Sequence, residues 1–477
     1  MAQNTEVAQY QDVEKSQQAA AERPPAMAPL EYDDPFNWSN RRKWCITVLM
    51  SLCTLTATLC SSIFSSTIVV TAQEFDTSET VMLLGVSLFV GGFSFGPLLW
   101  GPMSELVGRR IPLFGGYFLF ALMQIPTALS PSLAGVLISR FLAGCFGAAP
   151  IALVSASYAD FWDPSNRGIA SALYSVAAYA GPTLGPILGS FVTESHLGWR
   201  WTAWLVLILA TAVGIPAFIL VPETYGPVLK ERAARKQGLS VTKSNPFQNF
   251  IRKYLSKPMV MLLHEPVLDV MTIYISIVYA IMYLTFFSFP YAFSQERGWS
   301  RQIGSLSFLS MLVGILTSCA AIAIYSAKYY QPRYKARGKV LPEDRLPPIM
   351  VGAICLPVGL FWFGWTASPS IPWVPQMVSG FFIGAGVMLI FTNGIVYIVD
   401  IYLSSAASAM AANTFVRSAA AAGLPLAAPT MYRSLGTSWA TTILGFVCLA
   451  LVPAPFLFYR YGADLRKRSR FVPEGSR

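Results

Sequence analysis

Apolar runs of about 20 residues recur along this chain, and that recurrence limits what it can fold into more than any other feature. A run of that length crosses the hydrocarbon of a bilayer as a helix, because in lipid every backbone N–H and C=O must find its partner inside the protein. About twelve such runs occur, near 46 to 70, 81 to 102, 111 to 130, 133 to 158, 168 to 192, 201 to 221, 267 to 290, 303 to 326, 347 to 367, 373 to 398, 405 to 428 and 437 to 459. Charged residues make up 12% of the 477, against about 25% in an ordinary soluble domain. The chain therefore reads as an all-α integral membrane protein. Its runs form two sets of six. They define an N-terminal tail (1–43), a first six-helix half (44–221), a central loop (222–265), a second half (266–461) and a basic tail (462–477).

The net charge is +10, but the basic residues are placed for a membrane rather than for nucleic acid. They fill alternate loops: Arg41 to Lys43 before the first run, Arg109 and Arg110 after the second, and Arg167 after the fourth. The central loop and the segment after the eighth run are also rich in them, as is the C-terminal end. The intervening loops hold only Arg200, Arg297, Arg301 and Arg433. By the positive-inside rule both termini and the central loop are expected in the cytosol. The plasma membrane is the expected location, with the vacuolar membrane as the alternative. The first 35 residues read as a disordered tail without a cleavable signal. Seven cysteines in or beside the runs argue against a disulfide framework. The two histidines, His196 and His264, are far apart and lack metal-site spacing, so enzyme chemistry is not expected and no cofactor is implied.

Several local patterns carry more. Between the second and third runs the chain reads GPMSELVGRR. Gly101 and Gly108 are expected to supply a tight reversal there, and Glu105, Arg109 and Arg110 stand ready to pair across helix ends. A merely solubilising loop is the alternative. In the fifth run Ala177, Gly181, Gly185 and Gly189 recur every four residues, with Pro182 and Pro186 on the neighbouring ridge. Small residues at that spacing admit a close partner helix, and the prolines remove amide donors and bend the axis. Arg140 lies about 10 Å inside the outer end of the fourth run, at ~1.5 Å per residue. Burying it costs at least ~2.5 to 3.5 kcal/mol, so it must face a cavity or a partner unless it snorkels. Asn413 and Arg417 are one turn apart on the eleventh run and share a face. In the seventh run Tyr279, Tyr283 and Phe287 form a stripe that either lines an apolar pocket or packs. Carboxylates near the cytosolic ends are few: Glu105, Asp160, Glu265, Asp269 and Asp400. Each is open to simple solvation or to proton transfer, and the first run has none.

GPMSELVGRR resembles the span-two to span-three loop of the major facilitator superfamily, with Glu105 where an aspartate is more usual. AGPTLGPILG is similar to that superfamily's antiporter motif. LISRFLAGCFGAAP is similar to its span-four motif, although Ala143 stands where Gln is frequent. DDPFNWSNRRKW, WRWTAW, VPETYGPVL, EPVLDVMTIYISIVYAIMYLTF and YIVDIYLSSAASAMAANTFVRS resemble the fungal twelve-span drug:proton antiporter branch. The likeness runs from about Asp33 to Phe471. It implies a major facilitator fold of about twelve transmembrane helices in two pseudo-symmetric halves. It further implies alternating access with proton-coupled efflux of small hydrophobic or cationic compounds such as drugs, polyamines or secondary metabolites, by a monomer. Uptake by symport and a non-transporting sensor are the alternatives. The resemblance ties Arg140 to proton transfer. The few carboxylates themselves suggest a cytosolic latch in which Glu105 and Asp160 share Arg109, with Asp400 near the partner half; Asp269 is a further proton candidate outside the motifs, and Asn413 and Arg417, on one face, are expected to line the substrate cavity.

Overall fold

The computed structural model describes residues 33–237, 257–337, 341–402, 405–467 and 469. Most of the expected N-terminal tail (1–32), the middle of the central loop (238–256) and nearly all of the last ten residues lie outside them. Every regular element among the described residues is helical. Ten stretches are long and apolar enough to cross a membrane. The last of them, Ser408–Lys467, contains two helices broken at Gly436, where φ is +69°. The 30-residue helix Pro164–Thr193 stands outside the ten. Twelve membrane helices result: α1 Asn40–Glu74, α2 Glu79–Val107, α3 Arg110–Leu129, α4 Leu133–Phe161, α5 Pro164–Thr193, α6 Trp201–Leu220, α7 Pro266–Glu296, α8 Arg301–Arg337, α9 Leu346–Trp365, α10 Trp373–Ile401, α11 406–435 and α12 437–467.

Packing repeats with a shift of six helices. Within the first half α1 packs on α5, α2 on α4 and α3 on α4; within the second, α7 packs on α11, α8 on α10 and α9 on α10. Two helix pairs join the halves, α2 with α11 and α5 with α8, and the same shift exchanges one pair for the other. The interface therefore has pseudo-twofold symmetry.

The glycine stripe of α5 is explained by its contact with α1. A Cβ at Gly181, Gly185 or Gly189 would lie 2.8, 2.8 or 2.6 Å from main-chain atoms of Leu55, Ile63 or Ile63, so only glycine permits this backbone separation. Thr58 seals the contact by donating to the Ala177 carbonyl at 3.2 Å. Pro182 and Pro186 lie inside the same helix.

The expected N-terminal tail is ordered where it is described. Asp34 caps a 3-10 turn at Pro35–Asn37 by accepting from the Phe36 amide at 3.1 Å, and Ser39 caps α1. Trp38 and Lys43 are buried, with Lys43 Nζ donating to the Phe36 carbonyl at 2.8 Å. The DDPFNWSN text is thus a helix entrance, not a tail. In the central stretch Gly226–Lys236 and Lys257–His264 are helices.

Candidate functional site

At one end of the bundle the GPMSELVGRR segment folds differently from its expected turn. α2 runs on to Val107, so Gly101 is an ordinary helical residue with nothing within 4 Å of a Cβ placed on it. Gly108 alone makes the reversal, at φ +98° and ψ 165°, a conformation essentially reserved for glycine. What presses on it is Glu223 of the VPETYGPVL text, whose Oε2 would lie 2.2 Å from a Gly108 Cβ. Glu223 is 5% exposed and accepts four backbone amides: Arg109 at 2.7 Å, Arg110 at 3.3 Å, and Thr224 and Tyr225 at 3.0 Å each. Such a cluster of amides satisfies a buried carboxylate without a counter-ion.

Arg109 donates to Asp160 at 3.1 Å and to Ser104 at 2.7 Å, and its guanidinium lies over the Tyr225 ring. Arg110 donates to the Phe218 carbonyl at the end of α6. Glu105 sits half-buried on the last turns of α2. Asp400 pairs with Arg345 at 3.0 Å. The Arg109–Asp160 pair joins the start of α3 to the end of α4, and the Arg345–Asp400 pair joins the start of α9 to the end of α10, so the six-helix shift relates the two. Both pairs stay inside their own half. Asp400 takes its hydrogen bond from Arg345 of its own half, while Arg167 of the first half lies close enough to act on its charge. Asp269 lies in the first turn of α7, and beside it Glu265 is the fully buried acid, accepting from Tyr402 at 3.0 Å and from Ser469.

Ion pairs that do cross between the halves lie at the opposite end. Glu79 at the start of α2 pairs with Arg433 on α11. Glu194 after α5 pairs with Arg301 at the start of α8, 3.1 Å apart. These pairs are again related by the six-helix shift, with the charges exchanged. Sequence reasoning missed these pairs between the halves, although a signal existed. The four arginines on the arginine-poor side are all engaged: Arg301 and Arg433 as above, Arg200 with Glu74 at 2.6 Å, and Arg297 with Gln376 and two carbonyls.

Between the two ends, the residues expected to line a cavity are brought together but pack closed. Arg140 is 1% exposed. Its Nε donates to the Gly85 carbonyl at 3.0 Å, Nη1 to Cys60 at 3.0 Å and Nη2 to Ser61 at 3.3 Å, while Phe89 and Phe64 cover its faces. Its partners are thus main-chain carbonyls of α1 and α2 and the Cys60 Sγ at 3.3 Å rather than a carboxylate. Ser61 donates to the Thr58 carbonyl at 2.6 Å, which leaves the Tyr283 hydroxyl, 2.9 Å away on α7, to donate toward Ser61 across the halves. Tyr279 is 3.4 Å from Tyr283, and Arg417 lies over Tyr279 and Phe391 at 4.8 and 4.6 Å. Tyr179 of α5 meets Phe391 of α10 edge-on at 4.9 Å, a second contact between the halves. Asn413 is fully buried, donating to Thr272 at 3.2 Å. Phe287 belongs to a separate ring cluster with Tyr291 and Tyr432. With Tyr283 at 2% exposure and Asn413 at 0%, these side chains are buried and the middle of the bundle packs closely around them.

Fold and site together define a multi-pass transporter whose two six-helix halves meet around buried polar side chains. The Major Facilitator Superfamily profile matches residues 50–424. The chain is similar to the citrinin biosynthesis cluster MFS transporter mrr1 of Monascus ruber, 47% identical over 94% of this chain and 91% of that protein. It is also similar to the cercosporin MFS transporter CTB4 of Cercospora nicotianae, 41% identical over 92% and 88%. Among solved structures it resembles the proton:xylose symporter XylE, with a TM-score of 0.67 at 16% identity over 89% and 96% of the two chains. It resembles human MFSD10 with a TM-score of 0.61 at 19% identity over 88% and 99%. The chain belongs to the major facilitator superfamily, whose members are transporters rather than enzymes.

Proposed function

We propose that the protein exports a fungal secondary metabolite from the cytosol in exchange for protons, with both termini cytosolic in the plasma membrane. The observation that carries this reading is the closely packed centre. Buried polar side chains of both halves meet there, and two pseudo-symmetric ion pairs between the halves close one end. Such an arrangement suits a carrier that alternates by rocking its halves about a fixed central site. On this orientation the ends joined by Glu79–Arg433 and Glu194–Arg301 face outward, and the Arg109–Asp160 and Arg345–Asp400 pairs face the cytosol. Asp160 and Asp400 are then the carboxylates best placed to exchange a proton as their arginines move. Relatives named for citrinin, ascochitine and cercosporin favour a secondary metabolite over a polyamine as the cargo. The α5 glycine and proline motif supports antiport, its glycines keeping α5 on α1 as one rigid unit during the motion.

The test is transport by purified protein in acid-loaded liposomes, presented with a panel that includes citrinin and cercosporin. A cargo should accumulate against its gradient and the accumulation should collapse with a protonophore. Transport indifferent to the pH gradient would refute proton exchange. Protease added to intact cells should leave the 222–265 stretch uncut, and cleavage there would invert the orientation.

A further inference from the structure

Two arginines are buried in the middle of this bundle, and only one has its needs met. Arg140 spends Nε, Nη1 and Nη2 on three main-chain carbonyls. Arg417, 6% exposed on α11, has its faces covered by Tyr279 and Phe391, but its Nε is buried with no hydrogen-bond partner. No Asp or Glu among the described residues forms an ion pair with it. A buried cation without a counter-charge is strongly unfavourable, and proteins retain one where a partner arrives during function. One turn before it on the same face, Asn413 Oδ1 is also buried without a partner, and so is the Ser276 hydroxyl, one turn after Thr272 on α7. An unused guanidinium donor, an unused amide acceptor and an unused hydroxyl thus gather on the facing sides of α11 and α7, beside aromatic rings.

We propose that this cluster is the recognition site for an acidic, hydroxyl-bearing aromatic cargo, a reading that rests on the central transport site assigned above. A carboxylate or phenolate on the cargo takes the free Arg417 donors, a cargo hydroxyl donates to Asn413 Oδ1, and a planar ring system occupies the space that Tyr179, Tyr279 and Phe391 fill when the centre is closed. Arginine suits this role because its planar fork matches a carboxylate and its face stacks on rings. The same geometry turns away amines and polyamines, which would meet two guanidiniums and no acid. It therefore replaces the cationic cargo suggested by the branch-level resemblance.

Equilibrium binding to the purified full chain in nanodiscs tests this without any pH gradient, so a failure of proton-driven export leaves the binding result standing. The probes are 1-hydroxy-2-naphthoate, its uncharged carboxamide and 1-naphthylmethylammonium. The parent protein should bind the acid at least about tenfold more tightly than the amide, the discrimination of one charge-assisted bond, and should not bind the ammonium. Arg417→Gln should erase the preference for the acid over the amide. Asn413→Asp provides a second variant in case Arg417→Gln does not fold. It places a counter-ion one turn from Arg417 within the chain and should weaken acid binding at undiminished thermal stability. Absence of acid binding by the parent, preference for the ammonium, or unchanged acid affinity in either variant would overturn the proposal.

Discussion

Replacing Gly108 by alanine should unfold the first half far more readily than replacing Gly101, although both glycines bracket the same motif. At Gly108 the backbone lies at φ +98° and ψ 165°, and holding an L-residue there costs ~1–3 kcal/mol. The new Cβ would also stand 2.2 Å from Glu223 Oε2. That carboxylate cannot swing aside freely, because four amides hold it. Losing even one of these charged hydrogen bonds adds ~1.5–3 kcal/mol. The sum is about 2.5 to 6 kcal/mol, and at ~2–4 °C per kcal/mol for a unit of this size the melting temperature should fall by at least about 5 °C. Gly101 is helical with open space around it, so alanine there should be neutral or stabilise by ~0.5–1 kcal/mol. Thermal denaturation in detergent, followed by fluorescence-detected size exclusion, reads both. In a Glu223→Ala background the Gly108→Ala penalty should shrink to the backbone strain alone, about 1–3 kcal/mol. Equal losses for the two glycines, or a Gly108→Ala melt within about 2 °C of the parent, would refute the reasoning.

Arg140→Ala should lower the yield of folded protein as well as transport, because it leaves the Gly85, Cys60 and Ser61 carbonyls without their donors; full expression with normal melting would contradict the brace. Charge reversal of Arg433 and Arg301 together should open the Glu79 and Glu194 end, raising the reactivity of a cysteine introduced at Phe287 toward a membrane-impermeant thiol reagent. Exposed pairs contribute ~0.2–1 kcal/mol each, so the shift should be about 2- to 30-fold and should fade in high salt. Gly185→Leu should force α5 from α1, since even its Cβ would stand 2.8 Å from Ile63 N; overpacking of this kind destabilises by ~1–3 kcal/mol or more, and an unchanged melting curve would count against the contact.

Much of this architecture was legible in the sequence, because lipid imposes a length and a composition on each crossing. The glycine ridge of α5 was equally plain, since close helix contact leaves no alternative to a small residue. Gly101 misled because glycine marks permission and not use, and only the approach of Glu223, 115 residues further on, decides which glycine turns. The pairing of Asp400 with Arg345 was hidden for a similar reason: both residues were visible as charges, but their closeness depends on how α9 and α10 pack. Arg417 and Asn413 shared a face as expected, yet the shortage of partners around them is a property of three helices together.

The ion pairs at the closed end have a further meaning for assembly. The first half contributes both acids, Glu79 and Glu194, and the second both arginines, Arg301 and Arg433. Were two first halves to meet through this face, carboxylate would oppose carboxylate; two second halves would set guanidinium against guanidinium. Like charges in register penalise both wrong pairings, so the exchange of signs biases each half toward the other. The two halves, made as separate chains, should therefore pair with each other in preference to their own copies, the more so at low salt.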